Sequence, residues 1–286
     1  VSGVGALPSI DASAVIHPAA HVAPGAQIGP GCRIGPGCVV SAESVLGAGV
    51  ELLAHVVLDG RVTLGAGVKV FPFATIGLAP QDLKYKGEPT SVVIGPRTQV
   101  REHSTIHRAS TSGAGVTHIG ADCLLMCVVH VGHDCVVGDS VILVNNVMLA
   151  GHVEIGDFAV ISGGSAIQQF VRIGRMAMVA GMSGVERNVL PYGRAKGYRA
   201  KLYGLNTIAL RRRLGLSKER VMALARVVHE LYRAPRPDEV AEALAAQHPE
   251  DGLVQEILDF ARVRGRHGLI PFGRSNPEDE DAGETA

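Results

Sequence analysis

The chain has 286 residues, enough for one large or two small domains, and its 27 basic and 27 acidic side chains cancel to a formal net charge of zero. With no tryptophan, five tyrosines and six phenylalanines, it offers neither the basic stripe nor the stacking platform of a nucleic-acid binder. No stretch reaches the ~18 apolar residues of a membrane span and no charged-then-apolar leader opens the sequence, so a cytoplasmic protein handling a small molecule, without stable membrane insertion, is expected.

From Ile10 an aliphatic residue falls at every sixth position: Ile10, Ile16, Val22, Ile28, Ile34, Val40, Leu46, Leu52, Leu58, Leu64, Val70 and Ile76. Neither an amphipathic helix nor an alternating strand has that period. A unit this short cannot bury its own side chain, so successive units must stack into a solenoid around one continuous core. Three hexads close a triangular coil, with the aliphatic residues inward and glycine often following them, as in Ile28-Gly29 and Ile155-Gly156. About ten coils stacked at the ~4.8 Å strand spacing predict a prism about 45 Å long. Function must then sit on its outer wall.

The count breaks between Gly77 and Val93, where GLAPQDLKYKGEPTSVV is polar and charged and reads as a projecting loop that takes the place of two hexads. Solenoid insertions gather on the binding face. The count resumes at Ile94, Val100 and Ile106, breaks again over the Gly/Ser/Thr-rich segment 109–118, and runs from Ile119 to Val185 after slipping by one residue. The β-helix is thus expected over 7–190.

Beyond Pro191 the pattern predicts an α-helical cap over 191–274, with Ser217 and Asp238 as N-caps and a third helix carrying Leu253, Ile257 and Phe260. Such a cap covers the end of the solenoid, where an open sheet edge invites aggregation. The acidic stretch 275–286 reads as a disordered tail. Arg199, Lys201, Arg211, Arg212 and Arg213 cluster between Tyr198 and Arg213, as a solvated helix face or as a site for a diphosphate or an acidic partner. The five cysteines lack a paired C-x-x-C spacing and read as reduced, buried thiols.

Residues three hexads apart stack on neighbouring coils. His133, Gly151 and Gln169 therefore form one column, and Asp134, His152 and Phe170 the next, with His130 a short step away. An imidazole, a carboxylate to fix its tautomer and a glycine N–H are the parts of a general-base site with an oxyanion donor. The same histidines leave a zinc site open, as in a carbonic-anhydrase-like lyase. A hexapeptide N-acyl- or acetyltransferase acting on another nucleotide sugar and a non-enzymatic scaffold are the remaining alternatives. A scaffold has no use for the stacked column.

QDLKYKGEPT (81–90), STIHR (104–108), LLMCVVHVGHDC (124–135), LAGHV (149–153) and SGV (183–185) together resemble the acyl-carrier-protein–UDP-N-acetylglucosamine O-acyltransferases of lipid A biosynthesis, over the chain up to about Ile270. That resemblance implies an all-β, left-handed parallel β-helix with a C-terminal helical cap, assembled as a homotrimer whose active sites lie between adjacent prisms. It implies transfer of an (R)-3-hydroxyacyl chain from the phosphopantetheine of acyl carrier protein to the 3-hydroxyl of UDP-N-acetylglucosamine, with no metal or other cofactor. By the same resemblance His133 is the general base, Asp134 orients it and Gly151 N–H binds the oxyanion. Asp82, Lys84, His130, His152 and Gln169 correspond to sugar-site residues, and Asn206, Arg212 and Arg213 to positions meeting the uridine and phosphates. Gly181 corresponds to the acyl-chain ruler and implies a long donor, narrowed by Met182. Gln168 stands where well-known members have a histidine, which leaves open a 3-amino sugar as acceptor.

Overall fold

A computed structural model describes residues 9–263 and 265–273; the proposed acidic tail lies outside them. Twenty-seven short parallel strands, Ser9–Ile10 through Gly184–Val185, wind into three sheets of nine. We call the sheets A, B and C in the order the chain visits them. Among the described residues the coils therefore number nine, where about ten were expected. Where the repeat is unbroken, partners across a sheet lie three hexads apart, as in Ile28↔Leu46 and Leu149↔Ile167.

Every hexad aliphatic residue from Ile28 to Val185 is buried inside the prism, each contributing about 1.5–3 kcal/mol relative to exposure. The following glycines have a steric cause. A Cβ on Gly29 would lie 2.8 Å from Leu46 O, and one on Gly156 2.6 Å from Arg175 N, so the backbones of adjacent coils touch there.

Both interruptions are additions to the coil. Thr63 pairs with Val93, so that coil is longer than the regular one by two hexads. Thr105 pairs with His130, which lengthens its coil by one hexad and a single further residue. All three faces persist through both. The long loop does not displace two hexads, as the spacing had suggested; it is added to a complete coil. Both insertions leave the same edge, between sheets C and A. The slip in the count is the single further residue of the second insertion.

Past Pro191 the chain is not at once helical. Gly193–Lys196 adds a parallel strand to sheet B, pairing Met178 with Arg194, and Lys201–Leu205 turns back on it antiparallel. This hairpin, rather than a helix, covers that edge of sheet B. Helices begin with α1 (Thr207–Arg212), followed by α2 (Lys218–Arg233), α3 (Pro237–Gln247) and α4 (Gly252–Arg262). Ser217 caps α2 as expected, accepting from Arg220 N. Asp238 does not cap α3: Pro237, with φ preset and no N–H to satisfy, takes the first helical position, and Asp238 falls in the first turn. The basic run is likewise not one helix face, since Arg199 lies in the hairpin turn, Lys201 in a strand and Arg211 and Arg212 in α1.

Arg175 ties the helices to the prism, holding Glu256 of α4 through two hydrogen bonds of 2.8 and 2.9 Å with the Tyr192 hydroxyl against both. Four cysteines are buried and Cys127 is half-buried, all as free thiols. Burial pushes the Cys123 and Cys135 thiols up to about 11 and about 12, which leaves them unreactive.

Candidate active site

The C–A edge gathers His133, Asp134, Gly151, His152 and Gln169. In the last three coils the chain turns there in two residues, the second in left-handed backbone: Asp134, His152 and Phe170 have φ of 60°, 61° and 63°. The stacking is direct, with His152 N donating to His133 O and Phe170 N to Gly151 O. The two predicted columns therefore exist.

His133 Nδ1 lies 2.8 Å from Asp134 Oδ2. That oxygen also accepts from the Ser110 N–H at 3.0 Å and the Ser110 hydroxyl at 2.7 Å. Because the N–H can only donate, Oδ2 is an acceptor, and Nδ1 is the protonated nitrogen of a neutral His133. Nε2 is then the basic atom. It lies over the next coil, where a Cβ on Gly151 would come within 2.6 Å of Nε2 and Cε1, so only glycine leaves room for the imidazole.

The Gly151 N–H makes no hydrogen bond among the described residues. In several other turns the same position holds proline, as at Pro24, Pro30, Pro36, Pro72 and Pro96, so the fold does not need this donor. At Gly151 it remains available beside the base.

The Asp134 side chain is only 2% exposed, and Ser110 of the second insertion covers it. Ser112 Oγ lies 3.4 Å from His152 Nε2, which is 3.8 Å from Asp134 Oδ2. Burial, ahead of the neighbouring charges, lowers the pKa of His152. His130 is held by Thr105 Oγ1 at 2.7 Å and is also shifted down, by burial first and then by His133. Beneath it, His107 is buried edge-on to His130, and its pKa falls from 6.5 to about 4, again mainly through desolvation. Neutral imidazoles thus surround the base.

These groups line a cleft of about 500 Å³ shared by Gln81, His107, His130, His133, Gly151 and Gln169. A wider depression of about 780 Å³ near α4 has its cations already paired, Arg175 with Glu256 and Arg220 with Asp251. Its histidine, His248, has no carboxylate partner among the described residues.

His133, Asp134 and His152 also present ligand atoms within 4.8 Å of one another, close enough to share a metal ion. The Asp134 oxygen nearest both imidazoles, Oδ2, already accepts from two Ser110 donors, while Oδ1 has no partner among the described residues.

Asp82 and Lys84 lie on the long insertion of this same edge, where the Asp82 carboxylate accepts from Lys84 N and its charge is felt by His152. The other expected site residues lie elsewhere on this chain. Gly181 and Met182 turn the B–C edge. Asn206 caps α1 through Ala209 N and donates to Met176 O, while Arg213 stacks on Phe158, and both anchor to the A–B edge with Arg212 on the same short helix. Sequence reasoning missed Ser110, Ser112 and His107 as parts of the site. Reading the second break as chain added to a complete coil would have placed it against Asp134.

Residues 188–270 match the model of the second domain of UDP-N-acetylglucosamine O-acyltransferase, and residues 8–42 match the bacterial transferase hexapeptide family. The acyl-[acyl-carrier-protein]–UDP-N-acetylglucosamine O-acyltransferase of Caulobacter vibrioides is 52% identical over 230 residues, 78% of this chain and 85% of the relative. That of Thermodesulfovibrio yellowstonii is 47% identical over 219 residues, 76% and 84%. The solved UDP-N-acetylglucosamine acyltransferase from Campylobacter jejuni superposes with a TM-score of 0.80 at 34% identity, covering 93% of this chain and all of that one, so the prism is a left-handed β-helix. The chain belongs to the family of acyl-[acyl-carrier-protein]–UDP-N-acetylglucosamine O-acyltransferases.

Proposed function

We propose that this protein transfers a 3-hydroxyacyl chain from acyl carrier protein to the 3-hydroxyl of UDP-N-acetylglucosamine, opening lipid A biosynthesis in the cytoplasm. The observation that carries the mechanism is the His133 Nδ1–Asp134 Oδ2 bond, with Nε2 left basic over Gly151. Nε2 removes the proton of the sugar hydroxyl as its oxygen attacks the thioester carbonyl. The Gly151 N–H meets the negative charge that develops on the carbonyl oxygen. Collapse of the tetrahedral intermediate breaks the C–S bond, and the imidazolium returns its proton to the departing phosphopantetheine thiolate. Asp134 stabilises the transient imidazolium. No step calls on a metal ion or other cofactor.

The working enzyme is a homotrimer in this reading. The base lies on the C–A edge, the chain-length residues Gly181 and Met182 on the B–C edge, and Asn206, Arg212 and Arg213 at the A–B edge. One prism cannot turn three edges toward one substrate, whereas adjacent prisms can. Product formation from a 3-hydroxyacyl carrier protein and UDP-N-acetylglucosamine by the purified trimer tests the assignment. A monomer of full activity would refute the shared site. The 3-amino acceptor raised by Gln168 is the competing substrate to run beside it, since Gln168 is exposed next to Gln169 at the same edge.

A further inference from the structure

After α4 the chain returns to the prism. The segment from Gly265 to Gly273 is fastened by bridges from Leu269 to Asn188 and from Phe272 to Leu202, and by Ile270, which is buried. Its leading residues reach the catalytic edge. His267 Nε2 lies 2.8 Å from Gln169 O, and the Arg266 guanidinium sits 3.6 Å from the centre of the Phe170 ring. Phe170 stacks on His152 with 4.5 Å between centroids, and His152 meets His133 edge-on at 5.1 Å. A continuous row therefore joins Arg266 to the base.

We propose that Arg266 binds the diphosphate of the acceptor, a nucleoside diphosphate sugar whose hydroxyl lies at His133. This rests on the acceptor class proposed above. Stacked on an aromatic face, a guanidinium keeps its in-plane N–H donors for a planar or tetrahedral anion. Arg266 is exposed and has no carboxylate partner among the described residues. Burial shifts His130 and His152 toward neutrality and the carboxylates of Asp82 and Asp134 lie at this edge, so Arg266 adds, beside Lys84 of the long insertion, positive charge that a dianion needs there. Its charge already acts on His152, disfavouring protonation alongside the larger effect of burial.

Spacing fits as well. Phe170 stands two coils beyond Asp134, about 10 Å at the ~4.8 Å step, comparable with the reach from a ring hydroxyl across a pyranose to phosphates on its anomeric carbon. A purely mechanical clamp is unnecessary, because the bridges and Ile270 already hold the segment.

Calorimetric binding of UDP and of uridine to the intact trimer tests the assignment, on wild type, R266Q, R266M and R266K. R266Q and R266M should weaken UDP at least about tenfold, the loss of a hydrogen bond to a charged group. Uridine affinity and the melting temperature should be unchanged, and R266K should recover part of the UDP affinity. In turnover, R266Q should raise KM for the acceptor and spare kcat. UDP affinity unchanged in R266Q and R266M, or an equal loss for uridine and UDP, would overturn the proposal. Arg266-dependent UDP binding by a protein that transfers no acyl chain would instead retain this proposal and remove the transferase reading.

Discussion

Replacing Asp134 by asparagine keeps the size of the side chain and removes its charge. In the native site Oδ2 receives three donors, His133 Nδ1 and the N–H and O–H of Ser110, at 2.7–3.0 Å, while Oδ1 is buried with no partner among the described residues. The Ser110 N–H cannot turn away, so the asparagine oxygen must stay toward it. Each of the three bonds then changes from charge-assisted to neutral, a loss of about 1 kcal/mol apiece. The bond to His133 matters most, because it strengthens as the imidazolium forms. If the amide flips, its NH2 group faces Nδ1 and drives His133 to the tautomer that carries its proton on Nε2, where it cannot act as base. Either way kcat should fall by about 10² to 10⁴, the usual contribution of a general base, with KM for the acceptor little changed. The melting temperature should fall by the equivalent of about 1–3 kcal/mol. Steady-state kinetics at saturating donor, with thermal melts alongside, measure both. A folded Asp134→Asn protein with kcat within about threefold of wild type would refute the role given to Asp134.

Gly151→Ala places a methyl group 2.6 Å from the His133 ring, so the ring must rotate and kcat should fall about 10²-fold; retained kcat in a folded variant would contradict the assigned position of Nε2. A Cβ added at Gly181 meets only Gly163 O at 3.3 Å and Ser162 Cβ at 4.0 Å within its own chain, so Gly181→Met should fold normally and shift the preferred donor to shorter chains. An unchanged donor profile would show that Gly181 does not face the acyl chain. Trimers reconstituted from a mixture of His133→Ala and Arg213→Ala chains should recover activity that neither variant has alone, through sites that draw intact halves from two subunits. No recovery in confirmed mixed trimers would show that each site belongs to one chain. For His107 the folded pKa of about 4 lies below the ordinary 6.5, so between those values the unfolded chain binds a proton that the folded one refuses. Its contribution to stability is full above pH 6.5 and declines as pH falls toward 4. The acid-side loss of melting temperature should be smaller in His107→Gln, and equal slopes would count against a buried neutral imidazole.

Hexad periodicity makes the prism legible because each unit repeats one structural demand, an aliphatic residue inward at a fixed phase. The column of residues three hexads apart follows by arithmetic, which is why His133, Asp134, Gly151, His152 and Gln169 could be brought together before any coordinates. The arithmetic fails where the chain leaves the repeat. Ser110 belongs to an insertion whose hydrogen bonds to Asp134 depend on how the added chain folds back, and no period encodes that. Strands 193–196 and 201–205 are too short to show alternation, and they form because sheet B offers them an edge. Asp238 is a good capping residue in isolation, but Pro237 before it fixes the start of α3. Asn206 shows another limit: resemblance gives no sign that its side chain also caps α1 and donates to Met176 O.

Acyl transfer by wild type and His133→Ala, each offered UDP-N-acetylglucosamine with a series of (R)-3-hydroxyacyl carrier proteins and with bound metal quantified, is the most direct test. Wild type should form the 3-O-acyl product without stoichiometric metal, and the folded His133→Ala trimer should turn over about 10² to 10⁴ times more slowly. Near-normal turnover by His133→Ala, or wild-type activity that disappears with a chelator and returns with zinc, would contradict a histidine general base at this edge.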